Sequence, residues 1–297
     1  MKLQQVMSLT RKAIDDYHMI DEGDKIAVGI SGGKDSLTLL HALNGLKRFY
    51  PNKFELVAIT VDLGFKNIDF ARIKAMVEEM GLSYHIVSTD ISQIIFEDRK
   101  ESNPCSLCAK MRKGALNQLA KELGCNKIAY AHHKDDVVET MLMSFIYEGR
   151  IHTFSPITYL DRMDLTVIRP LIYMNESDVI GFVNKMELPV LKSACPVDGY
   201  TKREYVKELL KSINNETPVS VGISGANAGL STPFNLPTIT CPPTKVAPVL
   251  PAETYASQAP SLTIVKAFTI EESFFFLIAI TGGSAVSITS VAFTIST

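Results

Sequence analysis

Apolar positions along residues 1–216 follow two periods in turn, one helical and one extended. Val6, Leu9, Ala13 and Ile14 fall on one side of an amphipathic helix over residues 1–20. Lys25 to Ile30 reads as a buried strand ending at a glycine-rich turn, and Leu37, Leu40, Leu43 and Leu46 then mark one face of a helix. The same reading predicts strands over 55–61, 83–88 and 127–130, and helices over 68–80, 104–123 and 135–147. After Arg150 the pattern thins to a strand over 166–168, a helix from an Asn175 cap to Met186, and a charged helix over 201–212. Strands alternating with helices require crossover connections, and so a parallel sheet. The expected class is a doubly wound α/β fold, with nucleotide at the carboxyl ends of its strands.

Charge changes this picture after Glu216. Residues 217–297 carry only Lys245, Lys266, Glu253, Glu271 and Glu272, and are rich in Ser, Thr, Pro and Ala. A boundary is expected near Thr217, with the chemistry before it. From Ser273 onward no residue is charged, but Gly282-Gly283 and many hydroxyl residues dilute this stretch, so no membrane association is expected. The segment is expected to be disordered and foreign to the rest of the chain, as a shifted reading frame would leave it. The formal net charge of −2 does not announce a nucleic-acid partner, so any RNA contact must rest on a local basic patch. Five cysteines with no secretory signal point to a reducing cytosol, where clustered thiols mean metal or redox chemistry.

Ser31-Gly32-Gly33-Lys34-Asp35-Ser36 lies between the first strand and its helix. Gly32 and Gly33 permit close backbone approach, and the new helix offers free N–H groups to an anion. Lys34 adds a point charge, Asp35 can hold magnesium or orient a group, and the hydroxyls of Ser31 and Ser36 can bond phosphate. The spacing from Gly29 is one residue short of a Walker A loop, and G-x-G-x-x-G is absent. These six residues resemble the signature of the PP-loop ATP pyrophosphatases, which split ATP between its α- and β-phosphates and activate a carbonyl as its adenylate. Val61-Asp62-Leu63-Gly64 and Ala131-His132-His133-Lys134-Asp135-Asp136, followed by Glu139-Thr140, are similar to further family segments. The resemblance implies that the first borders the adenine and the second lies by the phosphates and the metal. From the residues alone, Asp135 and Asp136 are also ordinary helix caps.

Cys105-Ser106-Leu107-Cys108 follows Asn103-Pro104, a favoured cap and first helical residue, so both thiols are expected in a first turn. There the helix dipole should lower the thiol pKa, helped by Lys110, Arg112 and Lys113. A lone C-x-x-C leaves zinc, an iron–sulfur cluster and a disulfide open; Cys195 adds a third thiol ahead of a basic helix. Zinc would want a fourth ligand, and a catalytic persulfide would need only the pair. The two-plus-one set resembles the subgroup that makes 2-thiocytidine in the tRNA anticodon loop, where three cysteines hold a [4Fe–4S] cluster with one iron left open. By position that resemblance implies Cys105, Cys108 and Cys195 as its ligands. Cys125 reads as a core residue, and Cys241 is assigned no role.

The resemblance implies ATP at Ser31, Gly32, Gly33, Lys34, Asp35, Ser36, Asp62, His132 and Asp136. It implies Mg2+ at Asp35 and Asp135, and catalytic roles for Lys34, Asp35, Cys105 and Cys108. The implied partners are the tRNA anticodon loop, a sulfur donor such as a cysteine desulfurase or free sulfide, and a second copy in a homodimer. Lys110, Arg112, Lys113, Lys202, Arg203 and Lys207 are the basic candidates for RNA, each also readable as a solvated helix face. Lysidine-type amine ligation, 2-thiouridine synthesis and a non-catalytic nucleotide-binding module stand as the other readings.

Overall fold

The computed structural model describes residues 1–66, 68–99, 104–199 and 201–216, and beyond them the backbone of 220–222, 238–240, 263–270, 273–282 and 285–294; side chains are described as far as Ile213. The chain divides into two units, one taking in Met1–Val206 and the other Lys207–Ser224 with Asn235–Thr297.

The first unit opens with α1 (Leu3–Tyr17), in which Val6, Ala13 and Ile14 are buried as their spacing requires. Then β1 (Asp24–Gly29), α2 (Lys34–Leu46), β2 (Phe54–Asp62), α3 (Ala71–Glu79) and β3 (Ser83–Ser88) follow in the predicted order. A short α4 (Ile91–Gln93) and a π-helical turn (Ile94–Asp98) come next, neither of them predicted. After them stand α5 (Pro104–Glu122), β4 (Lys127–Ala129), α6 (Lys134–Glu148), β5 (Ile157–Leu160), β6 (Leu165–Ile168), α7 (Glu176–Met186) and α8 (Lys202–Glu216), whose residues from Lys207 on belong to the second unit.

Six strands make one sheet in the order β3-β2-β1-β4-β6-β5. All its pairs are parallel, as a doubly wound sheet requires, except the edge pair of β5 with β6. Strand side chains alternate between faces. Ala27, Val57, Ile59 and Ile128 therefore share one face, where they pack with Leu116 and Ala120 of α5. Ile26, Val28 and Ala58 turn to the other face, and α2 buries Leu37, Leu40, Leu43 and Leu46. Each such buried aliphatic side chain contributes about 1.5–3 kcal/mol of transfer free energy. From β1 the chain proceeds through α2 to β2 on one side, whereas β4 and β6 lie on the other. The strand order reverses between β1 and β4, and in such sheets the carboxyl ends of the strands at this switch point are where a binding crevice forms.

The second unit contains β7 (Ser220–Gly222) paired antiparallel with β8 (Thr238–Thr240), and an antiparallel sheet of β9 (Thr263–Ile270), β10 (Ser273–Gly282) and β11 (Ala285–Thr294). The sequence pattern suggested no elements in this stretch. Among the described residues no helix is long and apolar enough to cross a membrane.

Candidate active site

The phosphate loop follows β1 directly and is held by its own residues. Gly33 stands at the N-cap of α2, so the first amides of that helix face the crevice. The buried Ser36 hydroxyl donates to the Gly33 carbonyl at 2.9 Å and accepts from the Ser31 amide at 3.2 Å, while the Gly33 amide donates to Ser31 Oγ at 3.3 Å. Ser36 is thus turned inward as the loop's internal brace. Gly32 has φ +81°, and a Cβ there would meet Leu191 Cδ1 at 2.8 Å. Both facts make glycine the fitting residue. The Gly32 carbonyl accepts from the Leu191 amide at 2.9 Å, which ties the stretch after α7 to the loop.

Lys34 Nζ lies 3.0 Å from Asp35 Oδ2 and 3.0 Å from Glu176 Oε1. Burial works to lower the Lys34 pKa, but Asp35 and Glu176 together outweigh it and hold the ammonium charged. Glu176 opens α7, and its amide donates to Asp135 Oδ2 at 2.6 Å.

From the end of β4 come Tyr130, His132 and His133. His133 is the N-cap of α6, and its amide donates to Asp136 Oδ2 at 2.9 Å, so Asp136 does serve as a cap. The imidazole of His133, only 3% exposed, has Asp35, Asp135 and Asp136 each at 3.6 Å. Asp35 Oδ1 and His133 Nδ1 are buried without a hydrogen-bond partner, so the pocket has acceptor capacity in hand for a hard cation or a donor on a ligand. Burial pushes the His132 pKa down to about 4; Asp136 pulls against this, and Arg169, Lys113 and Arg203 add to it. Its ring lies 4.7 Å from that of Phe154 and 5.8 Å from that of Tyr130. Arg169, buried at the end of β6, stacks over Phe154 at 4.9 Å, and burial lowers its pKa to about 10. Asp62 ends β2 one strand away from the phosphate loop, where its carboxylate accepts from the Gly64 amide at 3.0 Å.

Cys105 and Cys108 sit in the first turns of α5, as expected; Asn103, the expected cap, lies outside the described residues. The expected fall in thiol pKa is not what the structure shows. Burial raises the pKa of Cys108, Arg112 lowers it, and Cys195 and Cys105 both raise it. Desolvation outweighs the favourable charge, a balance that only packing decides. The same interactions place Cys108 within electrostatic reach of both other cysteines. All three are free thiols, with Cys105 exposed and the others half-buried. Among the described residues no three His, Cys, Asp or Glu side chains stand close enough to hold a single metal ion. A four-iron cube spreads its thiolates more widely than one ion does, and three free thiols are the right donor chemistry for it. Cys125 is a buried core residue, and Cys241 lies outside the described residues.

The basic candidates divide. Lys110 and Lys113 are exposed, Arg112 is half-buried, and Lys207 is half-buried with interactions of its own. Lys202 stacks over Tyr147 at 4.4 Å. Arg203 turns inward: it reaches Asp136 Oδ1 at 3.2 Å, Glu139 Oε2 at 2.8 Å and Thr140 Oγ1 at 3.2 Å. Sequence reasoning therefore missed Glu176 and Arg169, left His133 without a role, and did not foresee the bonds from Arg203 to Asp136, Glu139 and Thr140. The signals available were slight: an acid directly after the Asn175 cap, and an arginine directly after a buried strand.

Comparison with known proteins bears on this geometry. The family model described as a PP-loop domain matches residues 3–213. The tRNA-cytidine(32) 2-sulfurtransferase of Geobacter sulfurreducens is 40% identical over 220 residues, spanning 73% of this chain and 86% of that protein. Its counterpart of the same name in Geobacter metallireducens is 43% identical over 210 residues, spanning 70% and 82%. Among solved structures, the U34-tRNA thiolase NcsA from Methanococcus maripaludis with its [4Fe-4S] cluster superposes with a TM-score of 0.59 at 28% identity, covering 72% of this chain and 73% of that one.

Proposed function

The chain belongs to the PP-loop family, and we propose that within it the protein is an ATP-dependent tRNA thiolase that exchanges the C2 oxygen of a cytidine for sulfur. The observation that carries the reading is the meeting of two chemistries in one unit. A phosphate loop stands at the switch point, and Cys195 lies four residues beyond the Leu191 amide bonded to that loop. Relatives named for the same reaction support it.

In this reading the amides of Lys34 and Asp35 and the Lys34 ammonium receive the ATP phosphates. Lys34 then exchanges a carboxylate partner for phosphate oxygens. Asp35 and Asp135 hold Mg2+, with the unpartnered Asp35 Oδ1 as the available acceptor. Asp136 and His132 border the nucleotide on the β4 side, and Asp62 on the β2 side. The cytidine O2 attacks the α-phosphorus, pyrophosphate leaves, and the adenylate makes C2 electrophilic; sulfide then adds at C2 and AMP departs. Lys34 and the loop amides stabilise the charge on the departing pyrophosphate. Cys105, Cys108 and Cys195 would hold a [4Fe–4S] cluster, which when bound supplies an iron open to a sulfur ligand. An unpaired anticodon-loop base suits the open crevice, since RNA readout favours splayed-out bases. Lys110, Arg112 and Lys113 are the cations left for tRNA phosphates. Residues 1–216 would form the catalytic part of a cytoplasmic enzyme, with 217–297 an appended low-charge segment.

The test is anaerobic purification followed by incubation with ATP, Mg2+, sulfide and a tRNA transcript. We expect iron with acid-labile sulfide, a thiolated cytidine by nucleoside mass spectrometry, and one AMP per thiolation. An iron-free protein carrying stoichiometric zinc would sink the cluster, and ATP cleavage without any thionucleoside would sink the transfer.

A further inference from the structure

Cys195 lies on a stretch of chain anchored at two points, and both anchors belong to the nucleotide site. Four residues before it, the Leu191 amide donates to the Gly32 carbonyl at 2.9 Å, and the Leu191 side chain fills the space where Gly32 lacks a Cβ. Eight residues after it, Arg203 closes on Asp136, Glu139 and Thr140 of α6. Near the cysteine itself, the Cys195 amide donates to Ser193 Oγ at 3.3 Å and the Asp198 amide to the Cys195 carbonyl at 3.1 Å. The thiol is therefore carried on a turn slung between the phosphate loop and the acidic start of α6.

Arg203, although its side chain is 39% exposed, is placed as a strut. Its partner Glu139 is buried, with the side chain 2% exposed, and needs a cation there. Its other carboxylate partner, Asp136, also caps His133, the residue packed among Asp35, Asp135 and Asp136. A change in the phosphate loop thus reaches one end of the segment that carries Cys195, and a change at the α6 N-terminus the other.

We propose that Arg203 is a positioning residue which, together with the Leu191–Gly32 contact, couples nucleotide occupancy of the phosphate loop to the placement of Cys195. Coupling of this kind is reciprocal: nucleotide steadies the thiol against Cys105 and Cys108, and a group bound by the three thiols tightens nucleotide binding. The proposal takes its nucleotide from the reading above but does not require the cluster.

The experiment is alkylation of the iron-free full chain with iodoacetamide, followed thiol by thiol by mass spectrometry, with and without Mg2+ and a non-hydrolysable ATP analogue. In the wild type the analogue should slow modification of Cys195 by about 10-fold, in the range usual for coupled sites. In Arg203→Lys, which keeps the charge but cannot span three acceptors, that protection should fall below about 2-fold. The core thiol Cys125 should stay unreactive throughout; loosening of the whole fold, the signature of a merely structural role, would expose it. Arg203→Ala is the stronger lesion, and the Lys variant carries the test if Ala does not fold. Full protection of Cys195 in a folded Arg203→Lys protein overturns the proposal, as does absence of any nucleotide effect in the wild type. Arg203-dependent protection in a protein that never takes up iron leaves the coupling standing while the cluster fails.

Discussion

The phosphate loop and the cysteine set lie in the same unit but are built in opposite ways. The loop is contiguous, Ser31 to Ser36, and braces itself through Ser36 before any ligand arrives. Its alignment is set by β1 on one side and by the first turn of α2 on the other. The cysteines come from two segments separated by β4, α6, β5, β6 and α7, and no three ligating side chains among the described residues are drawn close enough for one ion. One region is braced by local geometry; the other draws its thiols from distant segments of the chain. Nucleotide binding should therefore tolerate damage to the cysteine side, whereas the cysteine side should depend on the elements around the loop.

Lys34→Ala breaks that comparison most directly. On the proposed role of Lys34, removing its ammonium should lower the rate of ATP-dependent turnover about 100- to 1,000-fold, the range seen for loss of a single preorganised charge donor. Iron content should be unchanged, and steady-state AMP release beside iron analysis checks both halves. Cys195→Ser is the converse lesion: it should strip most of the iron and visible absorbance while the affinity for an ATP analogue, read by calorimetry, falls only by the coupling factor of about 10. Equal loss of nucleotide binding and iron in either variant would mean the two regions are not separable.

Gly32→Ala sharpens the boundary between them, because it strains a positive-φ position and pushes on Leu191 at once. We expect a loss of about 1–2 kcal/mol in unfolding free energy from the backbone term alone, measured by denaturant titration. Weaker nucleotide binding should accompany it.

The last expected effect is a pH dependence seated on the β4 side. The folded pKa of His132 is depressed to about 4, below its unfolded value near 6.5. Between those values the unfolded chain binds more protons than the folded one, so stability rises with pH across that window and is lost as pH falls through it. The contribution is at most about 3 kcal/mol. His132→Asn should flatten the acid limb of a stability profile between pH 6.5 and 4, and an unaltered slope would place the sensitivity elsewhere.

Much of this molecule was legible without coordinates where the controlling interactions are local. The strand at 83–88 and the helix start at Pro104 were read from residues that lie within a few positions of one another, as was the Asn175 cap. The antiparallel edge strand β5 was missed because Tyr159 is exposed and Ile157 and Leu160 are only half-buried, so no clear apolar alternation marks it. The thiol of Cys108 was misjudged because the helix dipole is a local property and desolvation is not.

The sequence by itself determined the order of elements, the phosphate loop and the three thiols that convert an ATP site into a candidate sulfur-transfer site. The elements and the loop rest on periodicity or on spacing within a short window, which the chain carries wherever it folds; Cys195 was joined to Cys105 and Cys108 by family resemblance. Tertiary structure alone decided the partners: Glu176 against Lys34, Leu191 against Gly32, Arg203 against Asp136 and Glu139, and Cys195 within electrostatic reach of Cys108. Those pairs join residues far apart along the chain, and their energies depend on burial and direction, which have no one-dimensional signature.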